Sequence, residues 1–203
     1  MKRYLLSILV LLSVCTTLCR AGEPSVSFGL EWGYSLSFFN LRQFNYLDAE
    51  GSRVNVDERL FKAGSNAGIL ASFGLNVGER CNFSISSGYM GVEDNVRLVP
   101  LIAGFTCVPA GIAESGFVFN LRAGAGMNVL DHSRILPLAD IGLGYRIAFE
   151  NNYGIDLKFI FRGVYDHPSI FDPTYESGYV PVENIRDDRA IYLSVGFSAA
   201  FNF

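Results

Sequence analysis

Charge is scarce in this sequence: Asp, Glu, Lys and Arg make up 18% of 203 residues, with 16 basic against 20 acidic side chains. Without a basic excess there is no electrostatic footprint for nucleic acid, so DNA and RNA binding are excluded. Beyond the first 21 residues the chain also lacks any uninterrupted apolar run of the roughly 18 residues a spanning helix needs, which excludes a polytopic helical membrane protein. Histidine occurs twice and cysteine four times, with no cluster at metal-ligand spacing. No metal and no cofactor is expected. No glycine-rich loop leads into a helix, so a phosphate cradle is absent too. What the chain does have is 50% hydrophobic residues, 14% aromatics and 21 glycines, with a mean hydropathy of +0.26. That is too apolar and too glycine-rich for an average soluble domain.

Residues 1–21 read as a signal peptide: a basic start (Lys2, Arg3), an apolar run over 4–14 and a small-residue exit at Cys19-Arg20-Ala21. A retained anchor would call for a stop-transfer segment that does not follow. A lipoprotein would need a small residue before its cysteine, where Val14 and Leu18 stand. Lys2, Arg3 and Arg20 leave with the leader, so residues 22–203 carry 13 basic and 20 acidic side chains, a formal charge of about −7.

Eight segments of this remaining domain alternate with period two. Over 25–39 the even positions are Val26, Phe28, Leu30, Trp32, Tyr34, Leu36 and Phe38, while the odd ones through 37 are Ser, Gly and Glu31. The pattern returns over 67–77, 81–89, 117–129, 135–149, 153–165 and 191–203. Segment 96–108 is apolar on both faces, and Pro100 predicts a bulge or local irregularity there. Strands of about 11 to 15 residues exceed the globular mode and match a tilted membrane crossing of about 9 to 11. One face is large and apolar; the other is Gly, Ser, Ala and Asn, which suits a narrow filled interior better than a solvated exterior. A secreted soluble barrel would invert this pattern. Aromatics also gather at both strand ends, Phe28, Phe83, Phe117, Phe149, Tyr153, Phe201 and Phe203 at one rim, Phe38, Tyr89 and Tyr165 at the other. The expected fold is all-β, an eight-stranded antiparallel up-and-down transmembrane β-barrel.

The last alternating segment runs to the final residue and ends on Phe203. With the leader and the strand count, it resembles the small outer-membrane β-barrel proteins of Gram-negative bacteria, of the OmpA and OmpX type. The resemblance implies an outer-membrane location among lipid and lipopolysaccharide, a default monomer, and recognition of Phe203 by the barrel-assembly machinery.

Short turns at Gly78-Glu79-Arg80 and Glu150-Asn151-Asn152 set the register and belong on the periplasmic side. If Phe149 opposes Tyr153, then Arg146 falls opposite Asp156 and Asp140 opposite Arg162, all on the inner face. Glu31, Arg122 and Lys158 also point inward, giving three acids and four bases inside. Buried charges must be paired, so this set reads as a structural plug, with a gated path for ions or small solutes as the alternative. The mature chain keeps Cys81 and Cys107, which a loop tip near Glu93-Asp94-Asn95 places nearly opposite one another. Export permits a disulfide between them, and two buried thiols are the other reading. Asp131-His132-Ser133 offers a thin signal for a lipid A-modifying enzyme and a stronger one for a turn, and His167 beside Pro168 reads as a loop residue; no enzymatic activity is expected. The two long outward connections, 41–63 and 166–189, mix aromatic and charged residues. They are where a host surface, a partner protein or divalent cations bridging lipopolysaccharide would bind, unless they only close the barrel top.

Overall fold

Period-two patterning broken by turn residues can only bury one face by curling the sheet on itself. The structure, a computed structural model, describes residues 24–61, 63–93, 96–131, 134–149 and 153–203. The expected leader 1–21, the expected loop tip at Asp94 and Asn95, His132 and Ser133, and the expected turn 150–152 lie outside them. The strands are β1 (Ser25–Leu47), β2 (Arg53–Leu60), β3 (Gly64–Val77), β4 (Cys81–Glu93), β5 (Val96–Cys107), β6 (Gly116–Asn128), β7 (Ile135–Ala148), β8 (Gly154–Asp166) and β9 (Ile185–Asn202). Every neighbouring pair is antiparallel, and β9 returns to β1 from Gly29↔Asn202 to Tyr46↔Ile185. The result is a closed eight-stranded antiparallel barrel, as the alternation predicts, because β2 and β3 follow one another along the same edge of β1. The seam reaches the terminal residue: the Phe28 and Phe203 backbones exchange hydrogen bonds of 3.1 and 2.8 Å.

The segment 41–63 is not the irregular connection its composition suggests. β1 continues to Leu47, and β2 pairs back on it from Leu47↔Arg53 to Asn40↔Leu60. Its turn is built by Asp48, whose Oδ1 accepts from the Glu50 and Ser52 amides at 3.0 and 2.7 Å, with Gly51 at φ 80° in the left-handed region glycine tolerates. The register of β1 shifts between Ser37 and Phe39, opposite the break between β2 and β3. This bulge reverses which residues face inward, from odd positions below it to even positions above it. β9 likewise starts at Ile185, inside the expected loop. A three-stranded extension, β2-β1-β9, therefore rises beyond the ring.

Pro100 behaves differently from a bulge. The β4–β5 ladder is interrupted opposite it, from Ser87↔Leu101 to Met90↔Leu98, with no change of register. A missing N–H removes a rung without adding a residue. The bulge of β4 lies instead between Gly91 and Glu93, where Ser37 Oγ and Asn66 Nδ2 both donate to the Val92 carbonyl.

The outward face is an exposed apolar belt: Trp32 is 56% exposed, Ile85 59%, Leu101 65% and Ile135 72%. Rings meet along its turn end, Phe28 with Phe73 at 5.3 Å, Phe83 with Phe105 at 5.1 Å and Tyr153 with Phe203 at 5.7 Å. The interior has two layers. The layer nearer the turns holds the charges. The layer nearer the loops is an apolar cluster built from Leu70, Met90, Leu98, Ile102, Leu136, Leu138 and Val164.

Candidate functional site

Inward charges need room, and for three of the four inward bases the sheet supplies it by pairing the long side chain with glycine on a neighbouring strand. Arg122 is the partner of Gly104, Lys158 of Gly144 and Arg146 of Gly116. A Cβ on Gly104 would approach Arg122 Cγ to 3.3 Å. The missing side chains let the guanidiniums and the ammonium lie across the lumen rather than along the wall.

The charges then link. Arg122, Asp140 and Arg162 are successive partners on β6, β7 and β8. Asp140 Oδ2 accepts from Arg122 Nη2 at 2.9 Å, and its two oxygens take Arg162 Nε and Nη2 at 2.8 and 3.0 Å. Glu31 reaches from the opposite wall, where both its oxygens accept from Arg122 Nη1 at 3.0 Å and one takes Lys158 Nζ at 2.6 Å. Nearer the turns, Arg146 forks onto Asp156 at 2.6 and 2.7 Å, and Asn202 Nδ2 donates to the same carboxylate at 3.0 Å. Arg146 also donates to the Ile112 carbonyl at 3.1 Å, tying the β5–β6 connection beneath the barrel mouth. All seven charged side chains are buried. The two voids among them are about 30 and 40 Å³, space for only a few waters. The buried charges are satisfied on one another, as a desolvated set must be, and among the described residues the apolar cluster lies between them and the loop end.

The loop end is open. Above the apolar cluster the β2-β1-β9 extension and residues 167–184 enclose a cup of about 1040 Å³. Its floor is Val96 and Tyr192, ringed by Arg42 with Glu93 at 3.6 Å and by Arg134 with Asp166 at 3.0 Å and Asp131 at 2.9 Å. Asn40 Nδ2 donates to Glu93 Oε1 at 2.8 Å below the ring. The connection 167–184 is ordered by its own backbone. Phe171 and Tyr179 form an isolated bridge, and Asp172 Oδ1 accepts from the Thr174 amide at 2.9 Å and its hydroxyl at 2.7 Å. Those two hydrogen bonds hold the Asp172 carboxyl below its ordinary range, while burial and the same carboxylate push the Tyr46 phenol up. Tyr175 donates to the Leu47 carbonyl at 2.7 Å, latching this connection onto the hairpin turn.

The sequence places Arg42 and Asp166 only as charged residues of the long connections, and it does not single out Arg134. The signal that would have found Arg42 is the second alternation, Asn40, Arg42, Phe44 and Tyr46, hidden because the bulge puts it out of phase with the first. Of the thin enzymatic signals, Asp131 bridges Arg134, and His132 and Ser133 lie outside the described residues. His167 pairs with Asp188 at 2.5 Å and meets the Tyr165 ring edge-on at 5.0 Å. Among the described residues no hydroxyl hydrogen-bonds its ring. Cys81 and Cys107 are direct cross-strand partners, and both are buried. The Val108 amide donates to the Arg80 carbonyl at 2.8 Å, so theirs is the closer, non-hydrogen-bonded kind of pair.

No family model matches the chain, and no curated protein matches it significantly.

Proposed function

We propose that the chain is an integral outer-membrane β-barrel protein of a Gram-negative cell, with a closed lumen and a structural or surface-interaction role carried by its outward loop end. The observation that carries this reading is the combination of an exposed apolar belt outside and paired charges inside, with Leu101 at 65% and Asp140 at 0% exposure. In water that belt would be a large exposed hydrophobic patch; in hydrocarbon it is the solvated face. The leader, the terminal Phe203 and the likeness to OmpA- and OmpX-type barrels support the location and assembly by the barrel machinery. The reading makes the protein a monomer surrounded by lipid and lipopolysaccharide, and non-enzymatic. Its partner would meet the ribbon within 41–63 and the connection within 166–189.

The test is planar-bilayer conductance of refolded protein whose folding is first established by heat-modifiable gel mobility. A heat-modifiable band with no unitary steps is expected. Stable steps that change in Arg122 or Arg162 variants would replace the closed lumen with the narrow-channel reading. Lipid A of unchanged mass in cells with and without the protein is expected as well, and a shift would point to the enzyme.

A further inference from the structure

The cup at the loop end is a concave site of about 1040 Å³, at the upper end of small-molecule pockets and far larger than the voids inside the barrel. We propose that it binds a small organic cation, a positively charged group carried on an apolar or aromatic body. This rests on the reading above only in that the cup faces the cell's surroundings.

Two independent features of the lining select positive charge. The first is aromatic. Phe44 and Tyr46 from β1 form one wall, and Phe171 and Tyr179 from the connection 167–184 form another. The rings of Phe171 and Tyr179 meet edge-to-face at 5.8 Å and remain 66% and 52% exposed, so the pair leaves much of its aromatic surface uncovered by the protein. An uncovered aromatic face carries the negative part of the ring quadrupole and attracts a desolvated cation.

The second is electrostatic. The guanidiniums in the lining, Arg42 and Arg134, are already held by carboxylates at 3.6 Å and at 2.9 to 3.0 Å. Beyond those pairs the lining carries Glu58, which stands across from Arg42 on β2, and Asp188 beside His167. The lining thus holds more carboxylates than guanidiniums, within walls that exclude part of the solvent and strengthen the field. An anion would meet this surplus and the ring faces together, and would be rejected by both.

The site is also prebuilt. The latch from Tyr175 to Leu47 and the hydrogen bond from Asn184 Nδ2 to Tyr175 Oη at 2.8 Å hold the two aromatic walls in place before a ligand arrives. The dry cluster of Leu98, Leu136 and Val164 below means the ligand stops there. Capture rather than passage follows.

The probe is benzyltrimethylammonium, titrated by calorimetry into the refolded, lipid-mimetic-embedded protein, with benzyl alcohol and benzenesulfonate as neutral and anionic counterparts of the same ring. Saturable one-to-one binding at least tenfold tighter than benzyl alcohol is expected, no saturable binding of benzenesulfonate, and weakening as salt is raised. The E58Q/D188N double variant should lose about tenfold in affinity and Phe171→Ala several-fold, with heat-modifiable mobility unchanged in both. Equal binding of the three probes, preference for benzenesulfonate, or full affinity in E58Q/D188N would overturn the proposal. Conductance read on the same preparation separates the two readings: a folded, silent barrel that ignores the cation removes the cation site alone, whereas a conducting barrel removes the closed lumen.

Discussion

Replacing Glu31 by glutamine tests whether the interior charges form one interdependent set. Glu31 is the counter-charge that Lys158 meets, at 2.6 Å, and both are buried. In the linked group Lys158, Glu31, Arg122, Asp140 and Arg162 there are three cations and two anions. The variant leaves three cations with Asp140 alone, and strands the ammonium. Removing one partner of a buried pair costs roughly 3–5 kcal/mol, since the remaining charge keeps its desolvation penalty and loses its attraction. Lys158→Met leaves Glu31 on Arg122 and balances the group, so it should cost about 1 kcal/mol or less. The double variant should then recover most of the loss, a coupling of roughly 2–3 kcal/mol. Urea unfolding in lipid vesicles reads this through Trp32, the single tryptophan, 56% exposed on the outward face, with heat-modifiable mobility as a second probe. An E31Q protein within about 0.5 kcal/mol of wild type, or a double variant whose loss equals the sum of the singles, would refute the interdependence.

Three further outcomes are expected. The direct opposition of Cys81 and Cys107 at a non-hydrogen-bonded pair places their Cα atoms about 4.5 Å apart, within the span of a disulfide. Protein isolated from an oxidising envelope should therefore show no thiol on unfolding without reductant and two after reduction, and two in both states would dismiss the bridge. Gly144→Ala would bring a Cβ to 2.0 Å from the Leu157 carbonyl oxygen and 2.8 Å from Lys158 Cα. It should cost roughly 1–3 kcal/mol in the same urea assay, whereas Gly64→Ala, with nothing within 4 Å of the new methyl, stays within about 0.5 kcal/mol; equal effects would contradict the packing. The Asp172 carboxyl titrates below its ordinary 3.8 because Thr174 donates to it, so its ordering of the loop is present above that value and lost as pH falls through the lower, folded value. Thr174 amide protection, corrected for intrinsic exchange, should fall on acidification from pH 5 towards pH 2, and an unchanged value would remove Asp172 from the ordering of this loop.

The barrel was legible in the sequence because period-two alternation over more than ten residues has few other solutions, and because the short turn at 78–80 fixes a register by itself. The pairings of Arg146 with Asp156 and Asp140 with Arg162 follow from that kind of local counting, since they join adjacent strands. The pairing of Glu31 with Arg122 does not. It spans the lumen between strands that share no ladder, and nothing along the chain encodes which inward acid meets which inward base. The cup was hidden for a different reason. One bulge at 37–39 inverts the phase of everything after it, so Arg42, Phe44 and Tyr46 read as loop residues although they alternate. The two-sided apolar character of 96–108 was visible, but its meaning required knowing that Val96, Leu98 and Ile102 cluster with Leu136 and Val164.

These two illegible features belong to one division of labour along the barrel axis. Charge pairs nearer the turns fix the strands relative to one another through directional bonds across the lumen, at a desolvation cost that only a fully paired set recovers. The apolar cluster above them excludes water from those pairs and needs no partner-by-partner match. On the proposed closed-lumen reading, these two layers let the sheet open widely at the loop end without making a passage. The bulges in β1 and β4 lie near that boundary, with Ser37 and Asn66 bonded to the buried carbonyl of Val92. Filling Gly91, where a Cβ would sit 3.1 Å from Asn66 Cβ and Oδ1, should accordingly disturb the rim of the cup before the charge layer beneath it. Amide exchange in Gly91→Ala should rise around Glu93 and Asn40 with Arg122 and Asp140 still protected. Loosening that starts at Asp140 instead would mean the two layers are not separate supports.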